Sequence, residues 1–200
     1  MPTFLHVGCG PARKADTTPA FAEPDWEEVR LDIDPDVKPD VVASMTDMSP
    51  VADGAMDGLF SSHNIEHLYP PEVPTALQEF ARVLKPEGFA VITCPDIQSV
   101  AAAVAEGRLL EPLYVSPAGP ISAIDMLYGF RPALAAGNLF MAHRTGFTSE
   151  VLARELRRAG FGRVLLRRRP HFYDLWAVAT RAGETDERMR FLAAAHLPPA

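Results

Sequence analysis

An apolar run, Thr3–Val7 (TFLHV), breaks off directly into Gly8-Cys9-Gly10-Pro11. β-Branched and aromatic residues favour an extended backbone, and glycines supply the φ freedom of a tight turn. A buried strand closed by a glycine turn is therefore expected here. The same rhythm continues. Glu28–Ile33 reads as a second strand ending in the acids Asp32 and Asp34, residues 40–43 as a short third, and Gly58–Ser62 as a fourth. Pro71–Leu84 sets Val73, Leu77, Phe80, Ala81 and Leu84 on one helical face. Its prolines 70, 71 and 74 fall in the entry and first turn, where a missing N–H costs little. Phe89–Cys94 is a buried strand stopped by Pro95-Asp96. Strand, helix and strand in alternation predict a parallel sheet with crossovers.

At 200 residues the chain fits one domain with an elaborated insert. Apolar residues make up 48% and charged residues 22%, which excludes wholesale disorder. The net charge of −7 is uneven: residues 1–100 hold six of the 19 Lys/Arg and 17 of the 26 Asp/Glu. An acidic chain is a poor general ligand for nucleic-acid phosphates, and only the second half could hold a basic patch. Cys9 and Cys94 are too few for a disulfide framework. No apolar run reaches the ~18–20 residues of a membrane span. The first ten residues lack the basic and apolar segments of a signal peptide, so a cytoplasmic location is expected.

Residues 97–142 break the rhythm. A short helix over Ile97–Glu106 precedes a stretch rich in proline and glycine, yet carrying Tyr114, Met126, Tyr128, Phe130, Phe140 and Met141. An apolar loop segment of this length predicts a lid or binding element. Thr148–Ala159 is the next helix, capped by Thr148 and ended by Gly160. Gly162–Arg169 and Phe172–Thr180 read as a strand pair around Pro170, and Glu184–Ala195 as a terminal helix.

The chemistry gathers at the strand ends. Gly8-x-Gly10 allows a ligand close to the backbone, and Asp32 and Asp34 follow 22–24 residues later, where a Rossmann-like unit places a carboxylate on ribose hydroxyls. Ser61-Ser62-His63-Asn64 and Asp96 end later strands. A dinucleotide asks for a third glycine, where this chain has Arg13. That disfavours a nicotinamide-dependent oxidoreductase and suits a nucleoside without a pyrophosphate, such as S-adenosylmethionine (SAM).

With Leu5-His6-Val7-Gly8-Cys9-Gly10, Leu31-Asp32-Ile33-Asp34-Pro35, Met56-Asp57-Gly58-Leu59-Phe60, Ile65-Glu66-His67-Leu68 and Arg82-Val83-Leu84-Lys85-Pro86-Glu87-Gly88 in order, the chain resembles the class I SAM-dependent methyltransferases, in particular the small methyltransferase-11-like group. His143-Arg144-Thr145-Gly146-Phe147-Thr148 and Ala159-Gly160-Phe161 continue the likeness. The resemblance implies an α/β, Rossmann-like seven-stranded sheet of order 3-2-1-4-5-7-6 in a single domain with a helical or loop insert. It divides the chain into a SAM-binding half (1–96), an insert acting as substrate lid (97–142), a helix with the last two strands (143–182) and a helical tail (183–200). It places Gly8 and Gly10 under the methionine portion of SAM and Asp32 on the ribose. Adenine falls near Ser44–Thr46, held by Met45, Thr46 or Asp47. His6, Cys9, Ile33, Ser62 and His63 complete the expected cofactor set. His6, Ala12, Ser44 and Glu87 depart from the family's usual residues.

Methyl transfer from a sulfonium is an in-line displacement that needs alignment more than a strong acid or base. A base matters when a hydroxyl acceptor must lose a proton. His63, His67 and His143 are the candidate catalytic groups, and Tyr114, Tyr128 and His143 the candidate substrate contacts. The two cysteines and the histidines show no metal-ligand spacing, so no metal is expected. Arginines 154, 157, 158, 163, 167, 168 and 169 form the one basic cluster, either a solvated face or a docking patch. The expected activity is methyl transfer to an O or N atom of a small-molecule, glycan or lipid-linked acceptor. The alternative is a non-catalytic protein of this fold that senses a nucleoside or docks a partner.

Overall fold

The computed structural model describes residues 1–181 and 184–199. The domain boundary expected between residues 182 and 183 lies outside them, as does Ala200. In chain order the elements begin with β1 (Thr3–Val7), α1 (Pro19–Ala22), β2 (Glu27–Asp32), β3 (Val41–Val42), β4 (Met56–Ser62), α2 (Val73–Val83) and β5 (Leu84–Pro95). They continue with α3 (Ile97–Ala105), β6 (Pro112–Ser116), β7 (Gly119–Ser122), α4 (Ala123–Tyr128), α5 (Arg131–Ala135), α6 (Ser149–Arg158), β8 (Arg163–Arg169), β9 (Asp174–Thr180) and α7 (Asp186–His196).

Seven strands form one sheet in the order β3-β2-β1-β4-β5-β9-β8. The first five run parallel, and β9 pairs antiparallel with both β5 and β8. Counting only sheet strands, this is the expected 3-2-1-4-5-7-6. β5 begins earlier than expected, because Leu84 pairs with Met56 before a register shift carries the ladder on to Phe89 opposite Gly58. The Lys85–Gly88 turn sequence occupies that irregular start.

Strand alternation sorts the side chains. Leu5 and Val7 join the core under α2 and α6, with Leu59, Leu77, Phe80, Ile92 and Leu156. Phe4 faces the other side, where Phe21, Phe60, Phe89, Val178, Met189 and Leu192 meet beneath α1 and α7. The ring of Phe21 stacks on Phe4 at 4.3 Å between centroids and on Phe89 at 5.5 Å. Thr18 Oγ1 and His196 Nδ1 lie 2.7 Å apart and join the two ends of the chain there.

The insert is more ordered than its loop-like composition predicts. β6 and β7 make a separate two-stranded ribbon. α3 and α4 enclose a third small core of Val100, Ala103, Ala123, Met126 and Tyr173, with Leu113, Tyr114 and Ile121 against it. Asp125 caps α4, accepting from the Ser122 N–H at 3.0 Å and from Arg131 Nε at 2.7 Å. Burial would raise the Asp125 carboxyl, but Arg131 and Ser122 outweigh it and hold it well below the usual range. Among the described residues, no helix is long and apolar enough to cross a membrane.

Candidate active site

The carboxyl ends of β1, β2 and β4 meet around the first glycine turn. Gly8 has φ +63°, and a Cβ there would fall 2.2 Å from Asn64 Oδ1. Asn64 fills that space because its Nδ2 donates to Val7 O at 2.9 Å and Ser62 O at 3.0 Å, lashing β1 to β4. Gly10 has φ +51°, but a Cβ there would meet nothing within 4 Å. One glycine is needed for packing and the other leaves open space at the site.

Asp32 is 8% exposed and accepts from the Gly10 N–H at 2.7 Å and the Asp34 N–H at 2.9 Å. Asp34 in turn caps the next turn, accepting from the Asp36 N–H. Arg30, 2% exposed, supports the loop from behind. Its guanidinium donates to the carbonyls of Gly10 at 2.5 Å, Ala12 at 3.2 Å and Lys38 at 2.9 Å. β2 also carries Glu27, Glu28 and Asp32, so a charge at position 30 does not by itself mark this role in the sequence.

These groups line a cleft of about 440 Å³, within the usual range of small-molecule sites. Gly8, Cys9, Gly10, Asp32, Ile33, Met45, Ser62 and His63 all border it. Ile33 is 48% exposed beside the buried Asp32, an apolar ledge next to a carboxylate. Asn138, Phe140 and Met141 of the insert close another side. Burial pushes the Cys9 thiol up to about 11, so it stays protonated near neutral pH.

A smaller chamber of about 130 Å³ adjoins the cleft and shares His63, His67 and Met141 with it. Tyr114, Met126 and His143 line it, and Glu66 lies in its wall. His63 follows β4 with φ +53°, a left-handed conformation uncommon for a histidine and typical of functional turns. Its Nδ1 is 3.4 Å from Glu66 Oε1, within ion-pair range but outside hydrogen-bond geometry. Burial would raise Glu66, but His63, His67 and His143 together hold it below the usual carboxylate range. Partial desolvation of the His63 side chain, 42% exposed, would lower it, and Glu66 raises it beyond that. At His143 burial prevails and lowers the imidazole.

Four expected site residues lie elsewhere. His6 is buried on the opposite face of β1, because its parity is that of Phe4. Its Nδ1 meets Glu28 Oε1 at 2.7 Å and its ring is 5.2 Å from Phe60. Thr46 and Asp47 border a shallow surface depression with Glu79 and Arg82, and the Asp47 carboxylate turns to the Ser49 N–H. Tyr128 is 64% exposed and lines neither cavity. The arginines are largely used inside the fold. Arg168 Nε is 2.9 Å from Asp96, Arg169 pairs with Asp174 and Arg163 with Asp186, while Arg154 and Arg158 share Glu155.

Residues 5–92 match the family described as a methyltransferase domain. No curated protein matches the sequence. Among solved structures, the CMeT domain of a citrinin polyketide synthase superposes with a TM-score of 0.60 at 11% identity. The match covers 92% of this chain and 47% of that one, so this chain spans about half its length. A SAM-dependent methyltransferase from Thermotoga maritima gives 0.56 at 15% identity, over 91% of this chain and 83% of that one. The 1,6-didemethyltoxoflavin-N1-methyltransferase of Burkholderia thailandensis, solved with S-adenosylhomocysteine, gives 0.54 at 18% identity, over 91% and 72%. At these identities the superpositions speak for the fold, and the match over residues 5–92 for the sequence. Glycine turn, acid-ended second strand and reversed last strand pair all agree with the class I methyltransferase fold, and residues 5–92 match its methyltransferase domain.

Proposed function

We propose that the protein transfers a methyl group from SAM to an oxygen or nitrogen atom of a small-molecule acceptor. The observation that carries this is the pairing of a glycine-walled cleft, bearing a buried carboxylate, with a chamber that shares His63 and His67 with it. The chain's residues fit the cofactor. Gly10 leaves room for the methionine portion, Asp32 offers acceptors to ribose hydroxyls, and Ile33 and Met45 offer apolar surface to a purine. SAM supplies a sulfonium-bound methyl group with a good leaving group. The protein's part is to align the acceptor, exclude water and take up a proton where the acceptor is a hydroxyl. His63 stands at the junction for that last task, with Tyr114 and His143 shaping the acceptor side.

We further propose that residues 97–142 act as the substrate lid, since Phe140 and Met141 border the cofactor cleft while Tyr114 and Met126 line the chamber. Titration calorimetry with SAM and S-adenosylhomocysteine tests the cofactor. Binding is expected, and none at millimolar ligand would end the proposal. A methylated product from an acceptor panel tests turnover. Binding with no product across amines, phenols and alcohols would favour the non-catalytic alternative.

A further inference from the structure

Glu66, His67 and His143 are separated by up to 77 positions in the chain, yet each brings a ligand-capable atom within 4.8 Å of the other two. The carboxylate is the telling member. Glu66 is 1% exposed, and among the described residues neither of its oxygens has a hydrogen-bond partner. A buried, ionised carboxylate without a partner is expensive, and folded proteins satisfy nearly all such groups. His63, at ion-pair distance, lowers the cost without filling the lone pairs.

The histidines are prepared as ligands. His143 Nδ1 is 2.8 Å from the Met126 carbonyl, so that nitrogen carries the proton and Nε2 keeps a lone pair. The ring nitrogens of His67 each lie 3.2 Å from a carbonyl oxygen, Ala142 O and His63 O. One of these contacts can hold the ring's N–H while the other nitrogen turns to a ligand. An imidazole that donates its second nitrogen to a backbone carbonyl is the usual outer support of a metal-bound histidine.

The backbone holds the parts in place. Arg144 N and Thr145 N donate to Glu66 O at 2.8 and 3.2 Å, and Arg144 Nη1 donates to His67 O at 2.6 Å. The 143–145 segment is thereby fastened to the Ile65–His67 turn.

We propose that Glu66, His67 and His143 bind a divalent transition-metal ion in the wall of the chamber. Two imidazoles and one carboxylate suit zinc, manganese, iron or cobalt and leave coordination positions open. Metal–ligand bonds of about 2.0–2.2 Å set the ligand atoms about 3.3 Å apart, so the side chains close by roughly 1.5 Å at most. The open positions face the chamber and suit an acceptor with one or two adjacent hydroxyl oxygens. This last point rests on the methyl-transfer reading above, whereas the metal site does not.

The test uses the full-length protein, stripped with chelator and titrated with Zn²⁺, with Co²⁺ as a visible-absorption probe. One ion per chain is expected. Glu66→Gln and His143→Ala should each weaken binding at least tenfold and abolish the Co²⁺ spectrum. Both residues line the chamber and not the cofactor cleft, so S-adenosylhomocysteine affinity should stay within about threefold of the parent, which also reports folding. The site is overturned if parent protein competent for S-adenosylhomocysteine takes up no stoichiometric ion, or if both variants bind it as tightly as the parent. A metal-binding chain that ignores S-adenosylhomocysteine would sustain the site and sink the methyl-transfer reading instead. If the ion binds but a catechol or vicinal diol neither perturbs the Co²⁺ spectrum nor changes ion affinity, the oxygen-acceptor assignment falls.

Discussion

Single residues set the cleft. Asp32 presents its carboxylate to the cleft while holding Gly10 and Asp34. Asp32→Ala should weaken S-adenosylhomocysteine binding by about 1–3 kcal/mol, the range for charge-assisted contacts, and calorimetry reads it directly. Unchanged affinity would remove Asp32 from the site. The two glycines separate packing from conformation. Gly8→Ala combines a positive φ with a collision against Asn64, whereas Gly10→Ala has the φ alone. A left-handed residue costs about 1–2 kcal/mol. Thermal unfolding should therefore show Gly8→Ala losing clearly more stability than Gly10→Ala; equal losses would contradict the packing assigned to Asn64.

At the scale of elements, the glycine loop depends on Arg30 of β2. Its guanidinium satisfies the carbonyls of Gly10, Ala12 and Lys38 from a buried position. Arg30→Met keeps the aliphatic bulk but strands those acceptors. It should cost about 3 kcal/mol in denaturant unfolding, given 1–3 kcal/mol per buried group left unpaired. Cofactor affinity should fall as well, because the turn loses its support. A stable variant with parental affinity would show that the turn holds without Arg30. The insert behaves as an element too. Its small core around Val100, Ala123 and Met126 lies apart from the sheet's two cores. Its ribbon has only two strands, marginal by itself. Amide exchange should be faster in β6 and β7 than in β4 and β5, and bound S-adenosylhomocysteine should slow exchange around residues 138–141.

At the scale of the molecule, His196 of α7 closes the fold against Thr18 and the rings of Phe21 and Phe89. Burial lowers its pKa to about 4 and keeps it neutral in the fold. The unfolded chain takes up this proton near pH 6.5, so the contribution is complete above that pH. It is lost as the pH falls from 6.5 toward 4, to a total of about 3 kcal/mol at 1.36 kcal/mol per pH unit. Denaturant melts at pH 7.5 and 4.5 should show that fall in the parent and a smaller one in His196→Gln. Equal falls would mean that the acid sensitivity comes from other groups.

The sequence by itself determined what local pattern and strand ends can encode. Apolar runs, the Gly8-x-Gly10 break and acids at the end of β2 were enough for the parallel half of the sheet and for Asp32 at its rim. These features act over a few residues, so order along the chain reveals them. The tertiary structure decided what depends on which side a residue faces and on which distant segments meet. His6 turned away through the parity of β1, and Tyr128 stayed in solvent while Tyr114 and Met126 lined the chamber. The insert's apolar residues found one another across a ribbon and two helices. Glu66 and His143 came together only because backbone hydrogen bonds fasten residues 143–145 to the turn after β4. No spacing rule could expose that pair, since loop closure over such a distance is settled by the packing of everything between.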